Sequence, residues 1–403
     1  MKHFLPLTLA VLLLAGCSPA SPPAESTPPP SPPPVEDQPV FAPVEIPEPE
    51  PDPRQEAIDG LLASMTPEEK VGQLFFPACP EAGAPELAAE YHLGGYLLFK
   101  ANLKDRTPLQ VQEEIAALQE GAAIPLLIGA DEEGGTVARV SACPQLREKR
   151  FSSPQKLYRQ GGLEAVLADC REKDELLASL GINVNFAPVA DLSTDPGDFI
   201  YDRTLGLGVE ETCEYISEVV RQMDADGMGA VLKHFPGYGS NRDTHTGSAL
   251  DERPLETFRT ADFLPFQAGM EAGGAAAILV CHNIVTAMDP DRPASLSPAV
   301  YRILREELHF DGPALTDDLS MKAATQYAGE QGQSPAVLAI AAGCDMVVTT
   351  DFKAQIPQVL AALEDGTLPR SRVDEAVSRV LRWKYDLGLI SQEALSNFRN
   401  HQK

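Results

Sequence analysis

Positive charge is scarce in this chain: 32 Lys and Arg stand against 59 Asp and Glu, a formal net charge of −27. Little is available to neutralise phosphate, so nucleic-acid binding is not expected, nor is electrostatic adhesion to anionic lipid or wall polymer. Beyond the N-terminus no stretch reads as a convincing transmembrane span. The six cysteines after Cys17 match no zinc or iron–sulfur spacing, and the histidines form no persuasive metal set. Missing too is a Gly-x-Gly-x-x-Gly after the first strand, the usual dinucleotide fingerprint of an open doubly wound sheet.

What is present begins with a targeting segment over residues 1–17. Lys2 supplies a short positive region, Phe4 to Leu14 is apolar, and Leu14-Ala15-Gly16-Cys17 sets a small-residue cleavage site before a cysteine. The last four residues resemble the lipobox of bacterial lipoproteins, which implies lipid attachment at Cys17 and an extracytoplasmic catalytic domain anchored to the cell membrane. Residues 18–53 then hold 15 of the 36 prolines. Proline fixes φ and lacks a donor, so this segment is expected to be an extended tether reaching up to roughly 100 Å at ~3 Å per residue. Residues 54–403 are left for one large domain. Cys281 and Cys344 lie in apolar runs and read as buried small hydrophobes, whereas Cys79 and Cys143 are candidates for a disulfide.

Over that region short apolar runs alternate with helical patterns. Thr66-Pro67-Glu68-Glu69 has the cap, the proline and the early acids of a helix start. Strands are expected at 74–77, 95–99, 125–130, 183–188, 228–233, 276–280, 313–316 and 346–349. Helices are expected at 108–120, 210–225, 255–272, 298–307 and 373–385. Eight strand slots favour an α/β fold of the TIM-like (β/α)8 barrel type in a single catalytic domain, with chemistry at the strand ends. Asp131, Asp191, His234, His282 and Asp317 all follow apolar runs.

Asp317 ends such a run, and a carboxylate there suits nucleophilic attack on an anomeric carbon. Asp318 competes for the role, although alternation along a continuing strand turns only one of the two toward a pocket. Asp243-Thr244-His245 follows a Gly/Pro-rich stretch, and an imidazole beside a carboxylate suits the general acid and base of glycoside cleavage. Arg203, Lys233 and His234 are candidate substrate-holding donors, with Asp131 a candidate acceptor of sugar hydroxyls.

These segments, in this order, resemble glycoside hydrolase family 3 in its single-domain β-N-acetylhexosaminidase branch. The motifs are Asp131 to Gly135, Asn183 to Asp191, Lys233 to Gly239, Asp243 to His245 and Thr316 to Met321. The resemblance implies Asp317 as nucleophile, His245 as acid/base assisted by Asp243, and Asp131, Arg203, Lys233 and His234 gripping a terminal N-acetylglucosamine. His282 is expected at the same mouth. It further implies retention of configuration, an amino-sugar oligosaccharide or muropeptide substrate and no cofactor or metal; a monomer is expected. Thr136 and Tyr238 depart from a frequent arginine and histidine of the family. With the sequence running to Lys403, the second sandwich domain of many β-glucosidases in the family is not expected. A β-glucosidase, a phosphate-dependent phosphorylase and a non-catalytic sugar-binding lipoprotein are the competing readings.

Overall fold

The computed structural model describes residues 52–241, 249–273 and 276–391. Cys17 and the proline-rich segment through Pro51 lie outside the described residues, as do Asp243 and His245. Six parallel strands form the central sheet in the order Gly95–Leu98, Leu127–Ala130, Val184–Asn185, Gly229–Phe235, Ala276–Val280 and Ala314–Thr316. Strands that run parallel and neighbour one another in sequence need crossover connections, and helices supply them.

The two end strands are not bare. Leu315 pairs in parallel with Met346, Val347 with Phe75, and Ala78 with Leu97. The Phe76 N–H donates to the Val347 carbonyl at 3.0 Å, and the Leu97 N–H to that of Pro77 at 2.9 Å. The strands expected at 74–77 and 346–349 are thus reduced to single bridges, and the sheet curls. Each makes a single bridge to each neighbour, too little to define a strand.

Alternation along the strands divides the core in two. Tyr96, Leu98, Ile128, Ala130, Leu232 and Ile278 face the surrounding helices. Leu97, Leu127, Val184, Val231, Leu279 and Leu315 fill the inside of the curl with Phe76 and Phe186. Gly129 has no room for more, since a Cβ there would come within 2.7 Å of the Phe186 ring. Continuing the period of two from these inward positions brings Asp131, Lys233 and Asp317 to the same interior at the strands' C-terminal ends.

Helix boundaries follow the expected chemistry where caps are strong. The Thr66 hydroxyl accepts the Glu69 N–H at 3.2 Å while the Glu69 carboxylate accepts the Thr66 N–H at 2.7 Å, starting Pro67–Gln73. Thr107 and Gln110 repeat the device at the head of Pro108–Glu120. The helix expected at 255–272 is broken by a π-helical turn over Phe258–Asp262, and that at 298–307 ends in another at Ile303–Glu307. Cys79 and Cys143 are free thiols, not a disulfide. Among the described residues no helix is long and apolar enough to cross a membrane.

The helix Arg370–Asp386 closes the inside of the curl at the strands' N-terminal ends, where Val380 and Trp383 join the inner cluster. Its Lys384 is fully buried, and the bond from Nζ to Gln73 Oε1 measures 2.7 Å. Burial pushes this amine down to about 7. The unfolded chain therefore binds more protons than the folded one between pH 10.5 and about 7, and stability falls as pH drops through that window. Lys384→Met is expected to stabilise the protein by about 2 kcal/mol at pH 7, after the cost of leaving Gln73 unpaired. The gain should vanish above pH 10.5; thermal melts across that range that show no stabilisation at pH 7 would remove this account.

Candidate active site

A cleft of about 450 Å³ opens at the strands' C-terminal ends, within the usual size range of small-ligand sites. Asp131, Arg203, Lys233, His234 and Asp317 all line it. Lys233 Nζ lies 2.7 Å from Asp131 Oδ1 and 2.6 Å from Glu133 Oε1. Arg203 grips Glu133 with two bonds, of 2.9 and 2.7 Å. Glu133 is thereby the common anchor of both cations. Burial alone would raise its pKa, but Arg203 and Lys233 outweigh burial and hold the carboxyl well below the usual carboxylate range. In turn, burial works to lower the Arg203 pKa, while Glu133 more than offsets it and keeps the guanidinium charged.

The sheet loses its register between Lys233 and Phe235. A shift of this kind re-aims side chains, and here the neighbours Lys233 and His234 both reach the cleft where alternation would separate them. His234 Nδ1 sits 2.6 Å from Asp191 Oδ2, and Arg203 Nη2 is 3.0 Å from His234 Nε2. A guanidinium can only donate, so Nε2 is the accepting nitrogen and the Nδ1 proton goes to Asp191. Asp191 also accepts the backbone N–H groups of His234 and Tyr238, at 3.1 and 2.7 Å. It holds the turn and the ring together and does not line the cleft.

Beyond Tyr238 the chain is pinned where residues 242–248 begin and end. Asn241 Nδ2 donates to Asp251 at 2.6 Å, and Arg253 bonds Asp251, Asp262 and the Gly237 carbonyl. Gly237, at φ 123°, packs where a Cβ would lie 2.5 Å from Asp262.

Asp317 and Asp318 both reach the cleft, contrary to the strict alternation expected of them. The strand stops at Thr316, so Asp317 still follows its period while nothing holds Asp318 to it. Their carboxylates are nevertheless distinguished by their bonds. Asp318 Oδ1 accepts the backbone N–H and hydroxyl of Ser320 at 2.9 and 2.7 Å, which commits it to the turn. His282 is not at the mouth as expected. Its ring is fully buried, with Nδ1 2.6 Å from Ser295 Oγ and Nε2 2.9 Å from the Asp318 carbonyl, and it supports the Asp317–Asp318 turn from behind.

Two residues of the site went unassigned in the sequence, one behind the cleft wall and one on it. Glu133 lies inside a motif whose first acid alone drew attention, and Arg139 lines the cleft 3.4 Å from Asp131. Asn185 clamps the backbone of Glu132 with bonds of 3.0 and 3.2 Å, turning Glu132 toward Ser141 and Glu133 toward Arg203. Among the described residues no group of acids, histidines and cysteines forms a metal cage.

The profile of the Glycosyl hydrolase family 3 N terminal domain matches residues 66–383. The chain belongs to glycosyl hydrolase family 3. Within the family it is 35% identical over 320 residues to a beta-hexosaminidase of Idiomarina loihiensis, covering 77% of this chain and 91% of that one. It is 31% identical over 339 residues to the beta-hexosaminidase LpqI of Mycobacterium tuberculosis, covering 81% and 84%. A solved family 3 beta-N-acetylglucosaminidase from Paenibacillus sp. superposes with a TM-score of 0.74 at 32% identity. That match covers 81% of this chain and 63% of the Paenibacillus one, so this family 3 chain spans less than two thirds of that protein.

Proposed function

We propose that this glycoside hydrolase is a retaining, exo-acting β-N-acetylglucosaminidase that removes terminal N-acetylglucosamine from muropeptides or related amino-sugar oligosaccharides. The observation that carries this reading is the convergence of Asp317 with Asp131, Arg203, Lys233 and His234 on one small-ligand cleft. The family and the hexosaminidase relatives support the choice of sugar.

In the first step an Asp317 oxygen attacks the anomeric carbon from the face opposite the aglycone. The glycosidic bond breaks, its electron pair stays on the leaving oxygen, and His245, oriented by Asp243, supplies the proton. In the second, His245 takes a proton from water as the water oxygen attacks the same carbon and Asp317 departs. Two inversions give retention. Asp131, Arg203 and Lys233 hold the sugar hydroxyls, and His234 completes that wall. No step calls for a cofactor.

The scaffold for this chemistry is read as a closed (β/α)8 barrel, supported by the bridges that link 75–78 and 346–347 to each other and to both end strands. Residues 1–17 are proposed as a lipoprotein signal, Cys17 as the lipid attachment point, 18–53 as the tether and 54–403 as the catalytic domain of a membrane-anchored, extracytoplasmic monomer.

The test is turnover of the 4-nitrophenyl β-glycosides of N-acetylglucosamine and glucose, with and without phosphate. Phosphate-independent release from the N-acetyl sugar alone is expected. Preferential glucoside cleavage would make it a β-glucosidase, and phosphate-dependent release as sugar 1-phosphate a phosphorylase. Sugar binding without turnover, on authentic muropeptides as well, would leave only a binding protein.

A further inference from the structure

A second groove, of about 820 Å³, lies beside the catalytic cleft among the helices Lys322–Gln331, Pro335–Ala342 and Phe352–Glu364. Two loops run from one cavity to the other. Asp318 and Val348 line the cleft, while Ser320 and Asp351, two and three residues on, line the groove. A residue spans at most about 3.6 Å, so these walls stand within about 11 Å of one another.

The groove holds uncommitted hydrogen-bonding groups. Gln355 is 4% exposed; its Nε2 donates to Thr349 Oγ1 at 3.2 Å, but its buried Oε1 has no partner. Ser334 stands at the N-cap of Pro335–Ala342, yet its hydroxyl makes no capping bond and is likewise buried without a partner. Buried polar groups are rarely left so in a native protein, and a ligand is one way to satisfy them. The rest of the lining narrows what that ligand is. Among the described residues it contains no aromatic ring to stack on a pyranose and no Lys or Arg to meet a phosphate or carboxylate. It does contain three glutamines, several hydroxyls and the carboxylates of Asp351 and Asp365. Amides pair with amides, and carboxylates with an ammonium.

We propose that this groove binds the peptide stem of the substrate, a chain of secondary amides with a free side-chain amine, while the amino sugar occupies the catalytic cleft. The inference rests on the muropeptide reading above. On it, the groove makes the enzyme prefer glycans that still carry their peptide.

Gly329 offers a clean test. It lies in the helix Lys322–Gln331 on the groove wall, and a Cβ there would meet nothing within 4 Å. Gly329→Arg keeps the helix favourable and sets a bulky cation in the groove. The substrates are N-acetylglucosaminyl-β-1,4-N-acetylmuramic acid with and without the stem L-Ala-D-isoGln-L-Lys, its C-terminus as the amide. The wild-type enzyme should favour the peptide-bearing form by about tenfold in kcat/KM, the scale of one or two charge-assisted bonds. Gly329→Arg should erase that preference and leave the peptide-free rate unchanged. An equal preference in both proteins, or an equal fall on both substrates, overturns the proposal. Calorimetry with the free tripeptide decides the groove independently of turnover. Binding to wild type that is lost in Gly329→Arg and weakened by acetylating the lysine amine supports it; no binding to wild type refutes it. Loss of all glycosidase activity alongside intact tripeptide binding would count against the hydrolase reading alone.

Discussion

Asp317→Ala is expected to lower kcat on an N-acetylglucosaminide by roughly 10⁴-fold or more, the scale seen when a covalent nucleophile is removed. The fold should be unaffected. Asp317 is only partly buried, and its tie to the neighbouring strand runs from its backbone N–H to the Val280 carbonyl at 2.9 Å, which alanine keeps. One side-chain bond lost with it, from the Asp318 N–H to Asp317 Oδ1, is local. Azide added to the variant should enter the space left by the carboxylate and attack the anomeric carbon of an activated aryl glycoside. A carbon–nitrogen bond forms, the phenolate leaves, and the product is a glycosyl azide of inverted configuration. Asp318→Ala should retain turnover within about tenfold, because that carboxylate is spent on Ser320. The reverse pattern, with Asp318 indispensable and Asp317 dispensable, would reassign the nucleophile.

Glu133→Gln should destabilise the protein by about 3 kcal/mol, because it leaves Lys233 and Arg203 buried beside a neutral amide. The same change should reduce kcat/KM, since the two cations lose the group that aims them. Its pH dependence separates this account from a simple packing defect. Folding depresses the Glu133 pKa from 4.5, so the carboxylate's contribution is complete above that value and fades as pH falls through the folded pKa. The gap between wild type and Glu133→Gln should therefore be constant near neutrality and shrink below pH 4.5. Denaturation curves at pH 7 and pH 3 read it directly, and a gap that does not change with pH would show that Glu133 is not a charged anchor.

How much of this was legible in the sequence depends on whether a residue's role is set locally. The capped helix starts at Thr66 and Thr107, and the strand Ala276–Val280, sit where propensity and pattern put them, because neighbours in the chain decide them. Asp131, Lys233 and Asp317 were accessible for a related reason, since each ends an apolar run in a period that fixes its side. Glu133 was not. Two adjacent acids look equivalent in a sequence, and the choice between them is made by Asn185, more than fifty residues away. His282 misled because a histidine at a strand end looks substrate-facing until its two nitrogens are seen engaged by Ser295 and the Asp318 carbonyl. The bridges at 75–78 and 346–347 were overread as strands, because apolar runs do not reveal how far pairing with their neighbours continues.

The helix Arg370–Asp386, which seals the sheet's interior with Trp383, also receives the start of the domain. Arg54, in the first turn of Pro53–Ser64, reaches Asp386 at 2.7 Å, and Gln55 meets Arg382 at 3.1 Å. The chain thus enters at the sealed floor, with the catalytic opening on the opposite side. The contacts that fasten the domain's first helix thus lie away from the cleft, whose lining includes none of Arg54, Gln55, Arg382 and Asp386, and changes at that seam leave the site's own residues in place.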